Sequence, residues 1–115
     1  MINTYLTSNF SVDLKLPQCK IDTRALIKRF VIESDRRIVI NLLFNPHVYN
    51  KLLGHGGLAR PEITLTQYNS DGSIAYMLEF ENVVRADLSD LVYDYSANEI
   101  LEYAVTFRFS KINVV

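Results

Sequence analysis

Apolar and polar positions alternate along most of this chain, and strict alternation marks a strand with one face in a core. Phe10, Val12, Leu14 and Leu16 alternate with Ser11, Asp13 and Lys15, which predicts a strand that stops at Pro17. Residues 24–32, RALIKRFVI, form a second strand with less cleanly separated faces, and ESDRR makes a short polar turn after it. Residues 37–44, RIVINLLF, are apolar on both faces. Such a strand needs cover on both sides, so it is expected in the middle of a sheet or beneath a neighbouring subunit.

The pattern then changes to a helical one. Asn45 can cap a helix, Pro46 suits its first position, and Val48, Leu52 and Leu53 recur near helical spacing. GHGG at 54–57 ends it, because glycine tolerates the left-handed conformation that often follows a helix. PEITLTQYN and IAYMLEFEN, joined by NSDGS with Gly72 at its tightest point, form a hairpin from about 62 to 81. Ile74, Tyr76, Leu78 and Phe80 share one face of the return strand, and residues 83–93 continue as a less regular strand or extended segment. Last comes LEYAVTFRF. Leu101, Tyr103, Val105, Phe107 and Phe109 point one way, and Glu102, Ala104, Thr106 and Arg108 the other. The whole predicts a mainly β fold: one domain over 1–115, a β-sandwich or barrel of about six strands with one short flanking helix at about 46–53.

Composition narrows the function. The chain has 115 residues, 49% hydrophobic and 22% charged, an ordinary balance for one globular domain. Its formal net charge is −1, whereas a protein that grips phosphate normally carries a basic excess. Lys28, Arg29, Arg36 and Arg37 are interleaved with acids and read as solvated strand ends. Cys19 is the single cysteine, so no intrachain disulfide and no cysteine-rich zinc site are expected. No basic stretch leads into an apolar core at the start, so no signal peptide is expected. No apolar run reaches about 18 residues, so no membrane anchor is expected either. Asn9-Phe10-Ser11 fits the glycosylation pattern but has no weight without a secretory signal.

Catalytic patterns are weak throughout. His47 and His55 are eight apart, not the four that would place both on one helical face for a metal. GHGG lacks the companion G-x-S-x-G elbow of an esterase, and no glycine spacing matches a phosphate-binding loop. The carboxylates Glu79, Glu81, Asp87, Asp90, Asp94, Glu99 and Glu102 fall on alternating strands and decorate a solvent or lumen face. No enzyme activity, cofactor or metal is expected. Two other readings stay open. One is an oligonucleotide-binding-like barrel that stacks single-stranded bases on tyrosines such as Tyr68 or Tyr93; the other is a small β-barrel ligand-binding protein. Tyr76 and Tyr103 lie on apolar strand faces, and Tyr93 and Tyr95 sit among acids, so core or interface packing is the stronger reading for these four.

Residues 62–109 carry a resemblance. ITLTQYNSDGSIAYMLEFENVV followed by DLSDLVYDYSANEILEYAVTFRF resembles the tail tube proteins of contractile-tailed bacteriophages, which are related to the tubes of type VI secretion systems. The positions concerned are Phe80, Asn82 and Val83; Asp94, Tyr95, Ser96, Asn98, Glu99 and Ile100; and Glu102, Val105, Thr106 and Phe107. The resemblance implies a sandwich or barrel with a flanking helix that assembles into hexameric rings of its own copies. Stacked rings would form a conduit with DNA only as passing cargo, and sheath or baseplate proteins would be further partners. It implies assembly in the host cytoplasm and a final place in the virion tail, for genome ejection. The connection PQCKID is only a few residues, shorter than the extended loop with which tube subunits reach the next ring. A tube-initiating or baseplate component of the same fold is therefore also in view. The polar face Glu102, Thr106 and Arg108 would line the lumen or meet a neighbouring subunit.

Overall fold

A computed structural model describes residues 5–6, 8–16, 19, 21–54, 61–96 and 100–115. Among these residues there are eight strands, one α-helix and one 3-10 turn. In chain order these are β1 (Phe10–Lys15), a 3-10 turn (Arg24–Leu26), β2 (Ile27–Glu33), β3 (Arg37–Leu43), α1 (Pro46–Leu53), β4 (Glu62–Tyr68), β5 (Ile74–Glu81), β6 (Val84–Leu88), β7 (Glu102–Arg108) and β8 (Lys111–Val114). The strands form two four-stranded sheets, ordered β1-β4-β5-β8 and β2-β3-β7-β6. Every strand pair is antiparallel.

Alternation puts one face of each sheet into a shared core. From the first sheet come Val12, Leu14, Ile63 and Phe80; from the second come Ile38, Ile40, Leu42, Tyr103, Val105 and Phe107. Aromatic rings bridge the two layers: Phe30 of β2 lies 5.8 Å from Phe80 of β5, which meets Phe109 edge-on at 5.1 Å. The mainly β architecture with a helix at 46–53 is as the sequence predicts, with eight strands where about six were expected. β6 lies within residues 83–93, expected as a less regular strand or extended segment, and β8 is the added strand; both outcomes have a physical cause. β6 is only five residues long and mostly exposed, so it carries little alternation. β8 pairs Ile112 with Phe80 and Val114 with Leu78, but its four residues follow β7 too closely to register as a separate strand. Residues 24–26 open as a 3-10 turn rather than as strand, tied to β1 by the Thr23 hydroxyl, which donates to the Leu14 carbonyl at 2.8 Å.

The helix closes one end of the sandwich. The Asn45 side chain accepts from the backbone N–H groups of His47 at 3.0 Å and Val48 at 3.2 Å, which satisfies two of the donors a helix start leaves open. Val48 and Leu52 are buried and Leu53 faces out. Gly54 ends the helix in right-handed backbone at φ −74°, so the left-handed stop is not at this residue. Residues 55–57, the rest of the expected glycine stop with His55, lie outside the described residues, as do Asn98, Glu99 and residues 17, 18 and 20 of the PQCKID connection.

The turns explain several of the sequence signals. Gly72 takes φ +88° in the β4–β5 turn, which Asp71 braces by accepting from the Ser73 N–H at 2.9 Å and its hydroxyl at 2.6 Å. Asn82 takes φ 56° between β5 and β6, a conformation asparagine tolerates better than most residues. It is flanked by buried Phe80 and Val83, so the Phe-x-Asn-Val run is two core anchors around a left-handed corner. Asp94 likewise accepts from the Ser96 N–H at 2.9 Å and its hydroxyl at 2.7 Å, making the DYS segment a side-chain-stabilised turn.

Candidate functional site

Glu102, Thr106 and Arg108 stand on the face of β7 opposite the core, and the sheet order places other outward residues beside them. Across β3, Glu102 is opposite Leu43, Thr106 opposite Val39 and Arg108 opposite Arg37. Across β6, Asp87 is opposite Thr106 and Val84 opposite Arg108. On β2, Val31 is opposite Val39 and Glu33 opposite Arg37. The result is a broad face on which half-buried Val31, Val39, Leu43, Ala104 and Thr106 run between charged side chains. The charges balance: Arg29, Arg37 and Arg108 against Glu33, Asp87 and Glu102. Two arginines directly opposite each other would repel. Asp35 supplies the countercharge, binding Arg37 at 2.7 Å. The Arg37 guanidinium holds the Asp35 carboxyl below its ordinary range, with Arg108 adding to the effect.

The strand expected to need cover on both sides is β3. It lies centrally, between β2 and β7, with Ile38, Ile40 and Leu42 fully buried. Its other face, with Val39 and Leu43, is only half-buried within the single chain.

The second sheet ends in two open edges, β2 and β6. Each carries a register irregularity, between Ile27 and Arg29 on one and between Arg85 and Asp87 on the other. Such irregularities twist an edge and limit indiscriminate pairing. Beside the β2 edge a cleft of ≈ 870 Å³ opens toward β1, lined by Phe10, Val12, Ile27, Lys28, Arg29 and Phe30 among others. Sequence reasoning missed this cleft, because it is built from two strands that no local pattern links. The outward apolar residues Val39 and Leu43 are the sequence signal for the half-buried outer face of β3.

Packing and hydrogen bonding account for Tyr103, Tyr68, Tyr76 and Cys19. Tyr103 is buried against Tyr49, edge-on at 4.9 Å, and burial pushes its phenol pKa up to about 12. Tyr68 shares a 3.0 Å hydrogen bond with Ser11, and Tyr76 packs against Tyr5 at 5.2 Å. Tyr93 and Tyr95 are exposed beside acids, so the tyrosines do not line up as a basic stacking platform. Cys19 is half-buried against the core. His47 is exposed in the first turn of α1. Glu62, Glu79 and Glu81 border a groove of ≈ 370 Å³ on the outer face of the first sheet, where Glu81 accepts from the Asn113 amide at 2.9 Å. Among the described residues, no cluster of three or more His, Cys, Asp or Glu is placed to hold a metal ion, and no helix is long and apolar enough to cross a membrane.

This two-sheet architecture recurs along nearly the whole length of known chains. One belongs to the sheath–tube complex, in the extended state, of the extracellular contractile injection system PVC: 13% identity, 97% of this chain and 91% of that one, TM-score 0.67. Another belongs to the anti-feeding prophage baseplate, solved 6-fold symmetrised: 11% identity, 100% and 97% coverage, TM-score 0.66. A third belongs to the cap that terminates the anti-feeding prophage tube: 14% identity, 100% and 93% coverage, TM-score 0.66. The fold is therefore one found in the tube, baseplate and terminating assemblies of contractile injection systems. No family model and no curated protein sequence matches the chain.

Proposed function

We propose that this protein is a non-enzymatic structural subunit of a contractile tail: a tail tube ring, or a tube-like baseplate or terminating component. The observation that carries the reading is the near full-length match of its fold to chains of tube, baseplate and cap assemblies, in both directions of coverage. The open edges β2 and β6 support it, since an edge that pairs with the next subunit is no longer exposed. A head-to-tail contact of fixed rotation closes on itself, and in this reading six copies close the ring. The outer face of the second sheet, with Glu102, Thr106 and Arg108, then lines the passage or meets a neighbour. Its balanced charges suit a wall along which DNA slides, because such a surface releases few counterions and grips phosphate weakly. Sheath and baseplate proteins are the other partners, with assembly in the host cytoplasm and the finished subunit in the virion.

Negative-stain images and light scattering of the purified protein, with a pull-down of tail proteins, test this. Rings, or specific co-purification with tail components, are expected. A protein that is monomeric at every concentration and retains no tail partner overturns the reading.

A further inference from the structure

Two surfaces adjoin the two edge strands of the second sheet: a cleft beside β2 and the chain segment that follows β6. At the β2 end is the ≈ 870 Å³ cleft, with an apolar floor that includes Phe10, Ile27 and Phe30, and with Lys28 and Arg29 beside it. Both cations are exposed, and neither has a carboxylate within 4.0 Å among the described residues. Arg24, also at the cleft, is held by Asp22 at 2.9 Å. At the β6 end the chain leaves the sheet after Leu88 and runs through Asp90, Leu91, Val92, Tyr93, Asp94 and Tyr95. Val92 is 73% exposed, Tyr93 74% and Tyr95 113%. Three largely exposed apolar side chains within four positions, beside acids, offer a contact surface. The Asp94–Ser96 turn holds the end of the segment in shape, so part of its ordering precedes any contact.

We infer that this acidic, tyrosine-bearing segment docks into the β1–β2 cleft of a second copy of this chain. The inference rests on the ring-forming reading and adds which surfaces join. β2 and β6 are the two edges of one sheet, so a contact from the β6 end of one copy to the β2 end of the next is head-to-tail. Tyr93 and Val92 cover the apolar floor, and Asp90 faces Lys28 and Arg29. Tyrosine suits such a role because its large ring has few rotatable bonds to immobilise. The two cations serve twice: they discourage arbitrary strand pairing at the open edge, and they select an acidic partner segment.

A charge exchange in the full chain tests the docking. Lys28→Glu with Arg29→Glu sets acid against acid, and Asp90→Lys sets base against base; the triple variant restores opposite signs. Sedimentation velocity over a range of concentrations, at low and at raised salt, reads the half-assembly concentration. Near-ultraviolet circular dichroism confirms that each variant is folded. Each reversal should raise that concentration on the order of tenfold, and the triple variant should bring it back toward wild type. Unchanged assembly in the reversed variants, or no recovery in the triple variant, overturns the docking and leaves the ring reading standing. A wild-type protein that never assembles overturns both.

Discussion

Tyr103 carries a buried polar atom that the fold leaves without a protein partner. The residue is 4% exposed, and its hydroxyl has no hydrogen-bond partner among the described residues. Its ring packs edge-on against Tyr49 at 4.9 Å and Phe44 at 6.2 Å, contacts that a phenylalanine ring would keep. An unpaired buried hydroxyl costs about 1–3 kcal/mol, and removing one oxygen leaves only a small gap. Tyr103→Phe is therefore expected to stabilise the protein by about 1 kcal/mol at neutral pH, roughly a 4 °C rise in Tm. The pH dependence sharpens the test. The folded-state pKa, about 12, lies above the ordinary tyrosine value of 10.0, mainly because burial penalises the phenolate. The folded chain thus holds this proton more tightly than the unfolded chain does. That contribution to stability is complete below pH 10 and is lost as pH rises from 10 through 12. Phenylalanine has no proton to lose, so the advantage of the variant should widen in this window, by at most about 3 kcal/mol. Urea unfolding followed by circular dichroism at neutral and at alkaline pH, at one protein concentration, measures both effects. A lower midpoint for Tyr103→Phe at neutral pH would refute the argument, since it would show that the hydroxyl makes a net favourable bond.

Phe107 is fully buried at the centre of β7, so Phe107→Ala should lose about 3–5 kcal/mol and show as a large drop in the urea midpoint. Asn45→Ala removes both capping contacts of α1 and should cost about 1 kcal/mol, read in the same unfolding curve. Gly72→Ala meets open space but must hold φ +88°, so strain alone should destabilise the hairpin by about 1 kcal/mol, visible as a lower Tm. Glu102→Lys and Arg108→Glu are exposed and should leave Tm within about 2 °C of wild type while altering assembly measured by light scattering; unfolding of either would show that the face is buried within the chain.

Much of this protein was legible in the order of its residues. Strict alternation in β1, β3 and β7 is a local property, because neighbouring side chains of a strand point to opposite faces whatever surrounds them. The Asn45-Pro46 start of the helix, the Asp71-Gly72 turn and the outward placement of Glu102, Thr106 and Arg108 follow from equally short-range rules. Short strands were harder: β6 and β8 gain their identity from the partners they pair with, and five or four residues contain too few alternations to show it. Tertiary structure alone decided that β1 joins β4 across some fifty residues, that the neighbours of β3 are β2 and β7, and that β2 and β6 are left as open edges. It also brought Phe10 and Phe30 to one cleft. Strand pairing is a long-range choice, made by whichever arrangement buries the most apolar surface while satisfying the backbone, and no window of sequence contains both sides of it.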